Sequence, residues 1–332
     1  MEFSLVPLFI GGDSLRVYDC FTFYNEFELL ELRLKALWDI VDYFVIVEAD
    51  KTHTNKPKPF YFWERQEDFK EFFPKIRHLP VEMNITYKGT GDWSIENAQR
   101  NAIMYGLEDA APDDFIFISD ADEIPAPDVL KQIYDSQTPL IVEYRLPPLT
   151  GRKEKALKCV ALTKAAEVLE EYPLAMAQDL HCYYFDWISK FTWQGTILTK
   201  RKNLTTPQEL RNLRNLLPRI ADGGWHFSYM GGVDNVINKM TSIVDGNECV
   251  LKSGGKLIDR ERVKDSMVKG NELYGRADLL EKNFLSYDAR NIRLPHIEEF
   301  LRKYPHFLRE PEKFFGEDFN GADDLQRFGR GH

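Results

Sequence analysis

The chain is short of cysteine, of positive charge and of long apolar runs. Four cysteines, Cys20, Cys159, Cys182 and Cys249, are scattered over 332 residues. None forms a Cys-x-x-Cys pair, which argues against a zinc ribbon or a dithiol redox motif. Isolated thiols suit a reducing compartment, so the expected location is cytoplasmic, with peripheral contact to a membrane allowed. No run approaches the roughly 20 apolar residues of a membrane-spanning helix. No basic stretch followed by an apolar one opens the chain as a secretory signal would. Acids outnumber bases by 53 to 43, a net charge of −10. That argues against a nucleic-acid partner, which selects for a basic face. A nucleotide ligand stays open, because a bound metal reverses the local sign. Internal repeats and low-complexity tracts are missing as well.

What is present is an ordinary globular composition, 43% hydrophobic, with 13% aromatic residues that can build a core or stack on sugars. Val17 to Phe21 reads as a strand. A helix follows, with Leu30, Leu34, Leu37 and Val41 at helical spacing. Tyr43 to Val47 is a second, buried strand ending in Glu48-Ala49-Asp50, and the polar, proline-bearing segment 51–59 is a loop. Ile76 to Met83 reads as a third strand, Ile95 to Leu107 as a helix, and Phe115 to Ile118 as a fourth strand. This alternation predicts an α/β fold wound around a mostly parallel sheet. In the second half the strand candidates are Leu140 to Tyr144, Leu180 to Phe185 and Trp193 to Leu198. Helices are expected over 154–171 and 233–250, and over 297–304 with Pro295 in the first turn. The glycine- and charge-rich stretch 317–332 reads as a frayed tail.

The densest chemistry sits in Phe115-Ile116-Phe117-Ile118-Ser119-Asp120-Ala121-Asp122-Glu123-Ile124-Pro125. An apolar strand delivers three acids at its C-terminal end, where open α/β sheets bind ligands. Residues two apart on an extended chain point the same way. Asp120 and Asp122 are therefore placed to hold one hard divalent cation, Mg²⁺ or Mn²⁺. The same acids are equally suited to capping the next helix. In Gly223-Gly224-Trp225-His226-Phe227-Ser228, two glycines allow close backbone approach to a ligand. His226 is a candidate third metal ligand or a hydrogen-bonded core histidine. Trp225 is a sugar platform or a core residue. Arg100, in the helix that precedes the acidic strand, is placed to meet a phosphate or to lie exposed beside a glutamate. Glu48 and Asp50 end a neighbouring strand, suited to a nucleoside or to capping their loop.

Taken in order, Tyr18-Asp19-Cys20-Phe21-Thr22-Phe23-Tyr24-Asn25-Glu26, Val47-Glu48-Ala49, Arg100-Asn101, Ser119 to Pro125 and Gly224 to Ser228 resemble glycosyltransferase family 17. This is the family of the β-1,4-mannosyl-glycoprotein β-1,4-N-acetylglucosaminyltransferases. The ordered motifs run from about residue 17 to 310. The resemblance implies a GT-A-type, Rossmann-like nucleotide-sugar fold with a helical C-terminal part. It implies one catalytic domain over 1–316, with a nucleotide-sugar half to about 135 and an acceptor half from 136. It also implies a nucleotide-sugar donor, UDP-GlcNAc first, inversion at the anomeric carbon, and Mn²⁺ or Mg²⁺. Asp120, Asp122 and His226 become the expected metal ligands. Phe21, Glu48, Arg100, Asn101, Asp120 and Trp225 become the expected donor contacts. The acceptor would be a glycan or a lipid-linked sugar. The segments 153–172 and 187–193 match the family poorly, and acceptor contacts are expected there.

An inverting transfer requires a carboxylate to take the acceptor's hydroxyl proton. Glu248 is the first candidate, because it ends the helix expected after His226. Asp179 and Asp186, near Trp187, are the others. A metal-dependent nucleotide-sugar hydrolase or a nucleotidyltransferase would use the same acid pair.

Overall fold

A computed structural model describes residues 15–134, 139–146, 157–275 and 284–316. In chain order the strands are β1 (Val17–Phe23), β2 (Tyr43–Ala49), β3 (Ile76–Val81), β4 (Phe115–Asp120), β5 (Glu123–Pro125), β6 (Leu140–Leu146), β7 (Leu157–Thr163), β8 (Leu174–Cys182), β9 (Tyr184–Lys200), β10 (Arg219–Ser228) and β11 (Leu285–Ser286). The α-helices are α1 (Phe27–Leu37), α2 (Tyr61–Arg65), α3 (Ser94–Asn101), α4 (Pro127–Tyr134), α5 (Ala165–Glu171), α6 (Pro207–Leu213), α7 (Gly232–Ser242), α8 (Val244–Lys252), α9 (Arg260–Lys269), α10 (Ile297–Lys303) and α11 (Pro311–Phe315).

The strands join one mixed sheet in the order β3-β2-β1-β4-β9-β8-β10-β6-β7, with β5 on β10 and β11 on β9. The first four are parallel. The chain winds outward from β1 to β3, then returns to place β4 on the other side of β1. That reversal leaves a crevice at the carboxyl ends of β1 and β4, the usual ligand position in open α/β sheets. Thr22 and Asp120 face each other there in register. From β4 onward most pairings are antiparallel, apart from β8 with β10.

All seven residues of β1 are buried, as expected for a sheet covered on both faces. Alternation sorts them. Val17, Phe21 and Phe23 join Phe44, Ile46, Phe115 and Phe117 beneath α1 and the C-terminal segment that carries Phe300 and Phe307. Tyr18 and Cys20 join Val45, Val47, Ile116 and Ile118 on the opposite face. Helix α1 buries Leu29, Leu30, Leu32, Leu34 and Leu37, and with them one arginine, Arg33. That guanidinium donates to both Asp19 oxygens, at 2.7 and 2.6 Å, and to Ser119 Oγ at 2.6 Å. It also donates to the carbonyls of Asp120, Ala121 and Glu123, at 3.1, 3.3 and 2.8 Å. The turn between β4 and β5 is thus pinned from below by a buried cation.

Four expectations change. The segment 154–171 is not one helix: it holds β7, then α5, because Leu157 to Thr163 pairs with β6, while 154–156 lie outside the described residues. Leu180 to Phe185 spans two strands that turn at Tyr183, whose φ of 69° reverses the chain. The helix expected over 233–250 is broken at Ile243, which is extended. Pro295 precedes the first turn of α10, because His296 takes the left-handed capping position. The stretch 317–332 lies outside the described residues. Among the described residues, no helix is long and apolar enough to cross a membrane.

Candidate active site

The carboxyl ends of β1 and β4 open into a cavity of about 770 Å³. Its floor is Thr22, Phe23, Tyr24 and Glu26 after β1, with Asp120, Ala121 and Asp122 after β4. Its walls come from the loop after β2 (Lys51, Thr52, His53, Lys58), from α3, α6 and α7, and from Trp193, His226 and Ser228.

The sheet's parity decides which member of each motif reaches the cavity. In β10, Trp225 and Phe227 turn into the core under α1, and His226 and Ser228 turn to the cavity. In β1, Phe21 packs in that same core, against the Arg33 guanidinium at 4.3 Å, and Thr22 reaches the cavity. Phe21 and Trp225, expected as donor contacts, are therefore core residues.

Asp120 and Asp122 both face the cavity and have different partners. Asp120 is clamped by two arginines, Arg100 Nη2 on Oδ1 and Arg211 Nη2 on Oδ2, each at 2.7 Å, with Thr22 Oγ1 at 3.2 Å. Burial would raise its carboxyl, but Arg211 and Arg100 outweigh that and hold it well below the usual range. Asp122 receives Lys239 Nζ at 2.5 Å and lies 3.5 Å from His226 Nε2. Lys239 and His226 likewise outweigh burial and lower its carboxyl. Glu123, the third acid, turns away from the cavity. It is fully buried, bound by Arg211 at 2.8 and 2.6 Å and by Trp193 Nε1 at 2.6 Å. It fixes those two side chains rather than facing a ligand.

Arg100 is a buried strut, not an exposed helix residue: it also bonds Glu96 and Gln208. Asn101 lies outside the cavity, where its Oδ1 accepts the Gln208 N–H at 2.9 Å and fixes the start of α6. Glu48 is fully buried and accepts from Phe62 N and Lys58 Nζ, with His78 Nε2 at 3.2 Å. Asp50 accepts from Met83 N. Both acids tie loops together. The Gly224 backbone does make a close approach, but to Ile124 and Pro125 of β5, with φ at 137°. The glycine serves strand pairing, not a ligand.

None of the three expected bases lines the cavity. Glu248 is on α8 and pairs with Lys252 at 2.5 Å. Asp186 accepts the N–H groups of Arg309 and Glu310, anchoring the C-terminal segment. Asp179 is partly buried on β8, where burial and Asp222 raise its carboxyl. The acids that do line the cavity, besides Asp120 and Asp122, are Glu26, Glu96, Asp245 and Glu272. Glu26 Oε2 accepts the N–H groups of Tyr24 and Asn25, both at 3.1 Å, and Oε1 has no partner among the described residues. Burial raises its carboxyl.

Arg211, Arg214 and Lys239 were not legible as site residues, Glu26 stood in the family motif without a role, and Trp193 closed a segment where acceptor contacts were expected without being singled out. Arg211 and Arg214 sit in a leucine-rich helical stretch that carries no motif. Lys239 lies one helix beyond His226 and gives no local signal.

Among the described residues, no three acids, histidines or cysteines converge on one point. Asp122 Oδ2 and His226 Nε2 form a two-donor pair at 3.5 Å. Lys239 Nζ already bonds that Oδ2 at 2.5 Å, so a hard cation completed by phosphate oxygens and water would take the lysine's place there. Asp120 fits less well, since both its oxygens are held by arginines.

Residues 11–146 match the family model described as Glycosyltransferase family 17. The Beta-1,4-mannosyl-glycoprotein 4-beta-N-acetylglucosaminyltransferase of Rattus norvegicus is 32% identical over 133 residues, covering 37% of this chain and 24% of that protein. Its Homo sapiens counterpart is 32% identical over 133 residues, covering 25% of its own length. The chain thus spans about a quarter of the length of the curated relatives it matches. Among solved structures, the mannosyltransferase PcManGT from Pyrobaculum calidifontis, in complex with GDP-Man and Mn²⁺, is distantly similar at 13% identity. Its TM-score is 0.32, covering 76% of this chain and 70% of that one. The family match holds Asp120 and Asp122 and ends before Trp193, Arg211, His226 and Lys239.

Proposed function

We propose that this chain, whose residues 11–146 match glycosyltransferase family 17, is an inverting glycosyltransferase. It moves a sugar, GlcNAc from UDP-GlcNAc first among donors, onto a hydroxyl of a glycan or glycolipid acceptor. The observation that carries the reading is the placement of the Asp-Ala-Asp segment. It lies at the topological switch point of the sheet, inside the matched region, facing a cavity that also gathers Arg211, Arg214, Lys239 and His226.

In such a transfer the acceptor oxygen bonds to the anomeric carbon as the bond from that carbon to the diphosphate oxygen breaks. The hydroxyl proton passes to a carboxylate. Glu26 is positioned to receive it. The residue lines the cavity, one of its oxygens has no partner among the described residues, and burial raises its carboxyl above its ordinary value. Lys239 holds a positive charge next to Asp122, where negative charge grows on the departing diphosphate. Asp122 and His226 would hold a divalent cation in place of the Lys239 contact to Oδ2, and it would supply Lewis-acid stabilisation of that same charge. Arg100 and Arg211 keep Asp120 ionised and fixed.

The test is release of nucleoside diphosphate from a panel of nucleotide sugars, with Mn²⁺ and with chelator, in wild type and in Asp122→Ala. Slow release from one donor, lost in the variant and with chelator, is expected. Equal release in the variant would remove Asp122 from the reaction. Release that no acceptor accelerates would favour a nucleotide-sugar hydrolase.

A further inference from the structure

One cation at the cavity has no acid of its own. Arg214, just after α6, lines the cavity and is half-buried. Its Nη1 donates to the Arg211 carbonyl at 3.2 Å, and among the described residues nothing accepts from its Nε or Nη2. No described carboxylate lies within ion-pairing distance. Its neighbours are committed elsewhere: Glu123 to Arg211 and Trp193, Asp120 to Arg100 and Arg211. Burial and the adjacent Arg211 disfavour charge on Arg214 and outweigh the attraction of Glu123 and Asp120, neither of which touches it. A partly buried guanidinium with no described carboxylate in contact is under-satisfied, and its planar fork suits a carboxylate or phosphate.

Its second neighbour is an aromatic wall. The guanidinium lies 5.3 Å from the Trp193 ring centroid. The His226 ring lies 5.2 Å from that same ring. Trp193 cannot swing freely, because its Nε1 is bonded to buried Glu123 at 2.6 Å. A fixed indole facing a cavity, 5.3 Å from a guanidinium with two unengaged nitrogens among the described residues and 5.2 Å from the His226 ring, is suited to a charged sugar.

We propose that Arg214 and Trp193 form an anion subsite. Arg214 takes a carboxylate or phosphoryl group of the substrate, and the Trp193 indole packs against the sugar next to it. The subsite rests on the transferase reading and narrows it: the substrate carries a negative charge at this point, either on an acidic acceptor sugar or on the donor diphosphate. Arg214→Gln removes the charge and Arg214→Lys keeps it without the fork.

The experiment is calorimetric titration of the full chain at low salt, with tryptophan fluorescence as a second readout and Trp193→Phe as its control. One arm uses glucuronate against uncharged glucose. The other uses UDP and pyrophosphate. The expected result is that wild type prefers the charged probe in at least one arm. Arg214→Gln weakens that probe about tenfold or more, and Arg214→Lys restores part of it. The responding arm names the source: glucuronate means an acidic acceptor, UDP and pyrophosphate mean the donor. Unchanged affinity in both arms for Arg214→Gln, with far-ultraviolet dichroism intact, would overturn the subsite. So would failure of wild type to distinguish glucuronate from glucose together with an unchanged diphosphate arm. Failure of the transferase reading looks different: wild type would release no diphosphate from any nucleotide sugar, whatever Arg214→Gln does to glucuronate.

Discussion

In the parallel half of the sheet, the chemistry is local in the sequence. Asp120 and Asp122 belong to one strand and its turn, although the Arg33 anchor under that turn comes from α1, 87 residues earlier. In the antiparallel half, Trp193, Arg211, His226 and Lys239 come from four separate elements and meet only at the cavity. Strand β9 shows the same contrast with β1. Its middle, at 190–192, is exposed, while β1 is buried throughout. A strand covered on both faces is mostly apolar and pairs any interior acid, as β1 pairs Asp19 with Arg33, so an acid cluster at its end stands out. A half-exposed strand mixes polar and apolar residues for many reasons, and a functional residue is hidden among them. The family match covers the parallel half and ends at residue 146, before most of the antiparallel half.

The largest expected effect separates cavity acids from acids elsewhere. Glu26→Gln is expected to lower kcat by about a hundredfold or more with nucleotide affinity kept. Glu248→Gln, outside the cavity and paired with Lys252, is expected to leave kcat unchanged. Equal losses, or the reverse order, would return the base to α8.

Next is the parallel half's own anchor. Arg33→Met leaves Asp19 buried without a cation and frees the three carbonyls of the acidic turn. Breaking a buried pair this way costs about 3–5 kcal/mol. Urea unfolding measures it, and a loss below about 1 kcal/mol would show that the turn holds without Arg33.

The smallest effect is a pH slope where α3 meets the cavity. Burial would raise the Glu96 carboxyl, but His53 and Arg100 outweigh it and hold it at about 2, against 4.5 for a free glutamate. A lowered folded-state value adds stability above the unfolded value, and that stability is lost as pH falls from about 4.5 toward 2. Glu96→Gln should flatten this part of the acid-unfolding curve, by at most about 3 kcal/mol. An unchanged slope in the variant would assign acid unfolding to other carboxylates.

By itself, the sequence determined the winding of the first four strands, α1, and the Asp-Ala-Asp turn at the end of β4. Apolar runs, helical spacing and a strand-end acid cluster are all local patterns. It also singled out Arg100 and His226. Only the tertiary structure decided what those residues touch. The period of two in β1 and β10 sent Phe21 and Trp225 to the core and Thr22 and His226 to the cavity. The packing of α3 and α6 against the acidic turn gave Asp120 two arginines, and α7 gave Asp122 a lysine. Glu26 stood in a family motif, but nothing local ranked it above Glu248, Asp179 and Asp186 as a base, since a carboxylate's role depends on which surface it faces. That is set by long-range packing, and no local pattern encodes it.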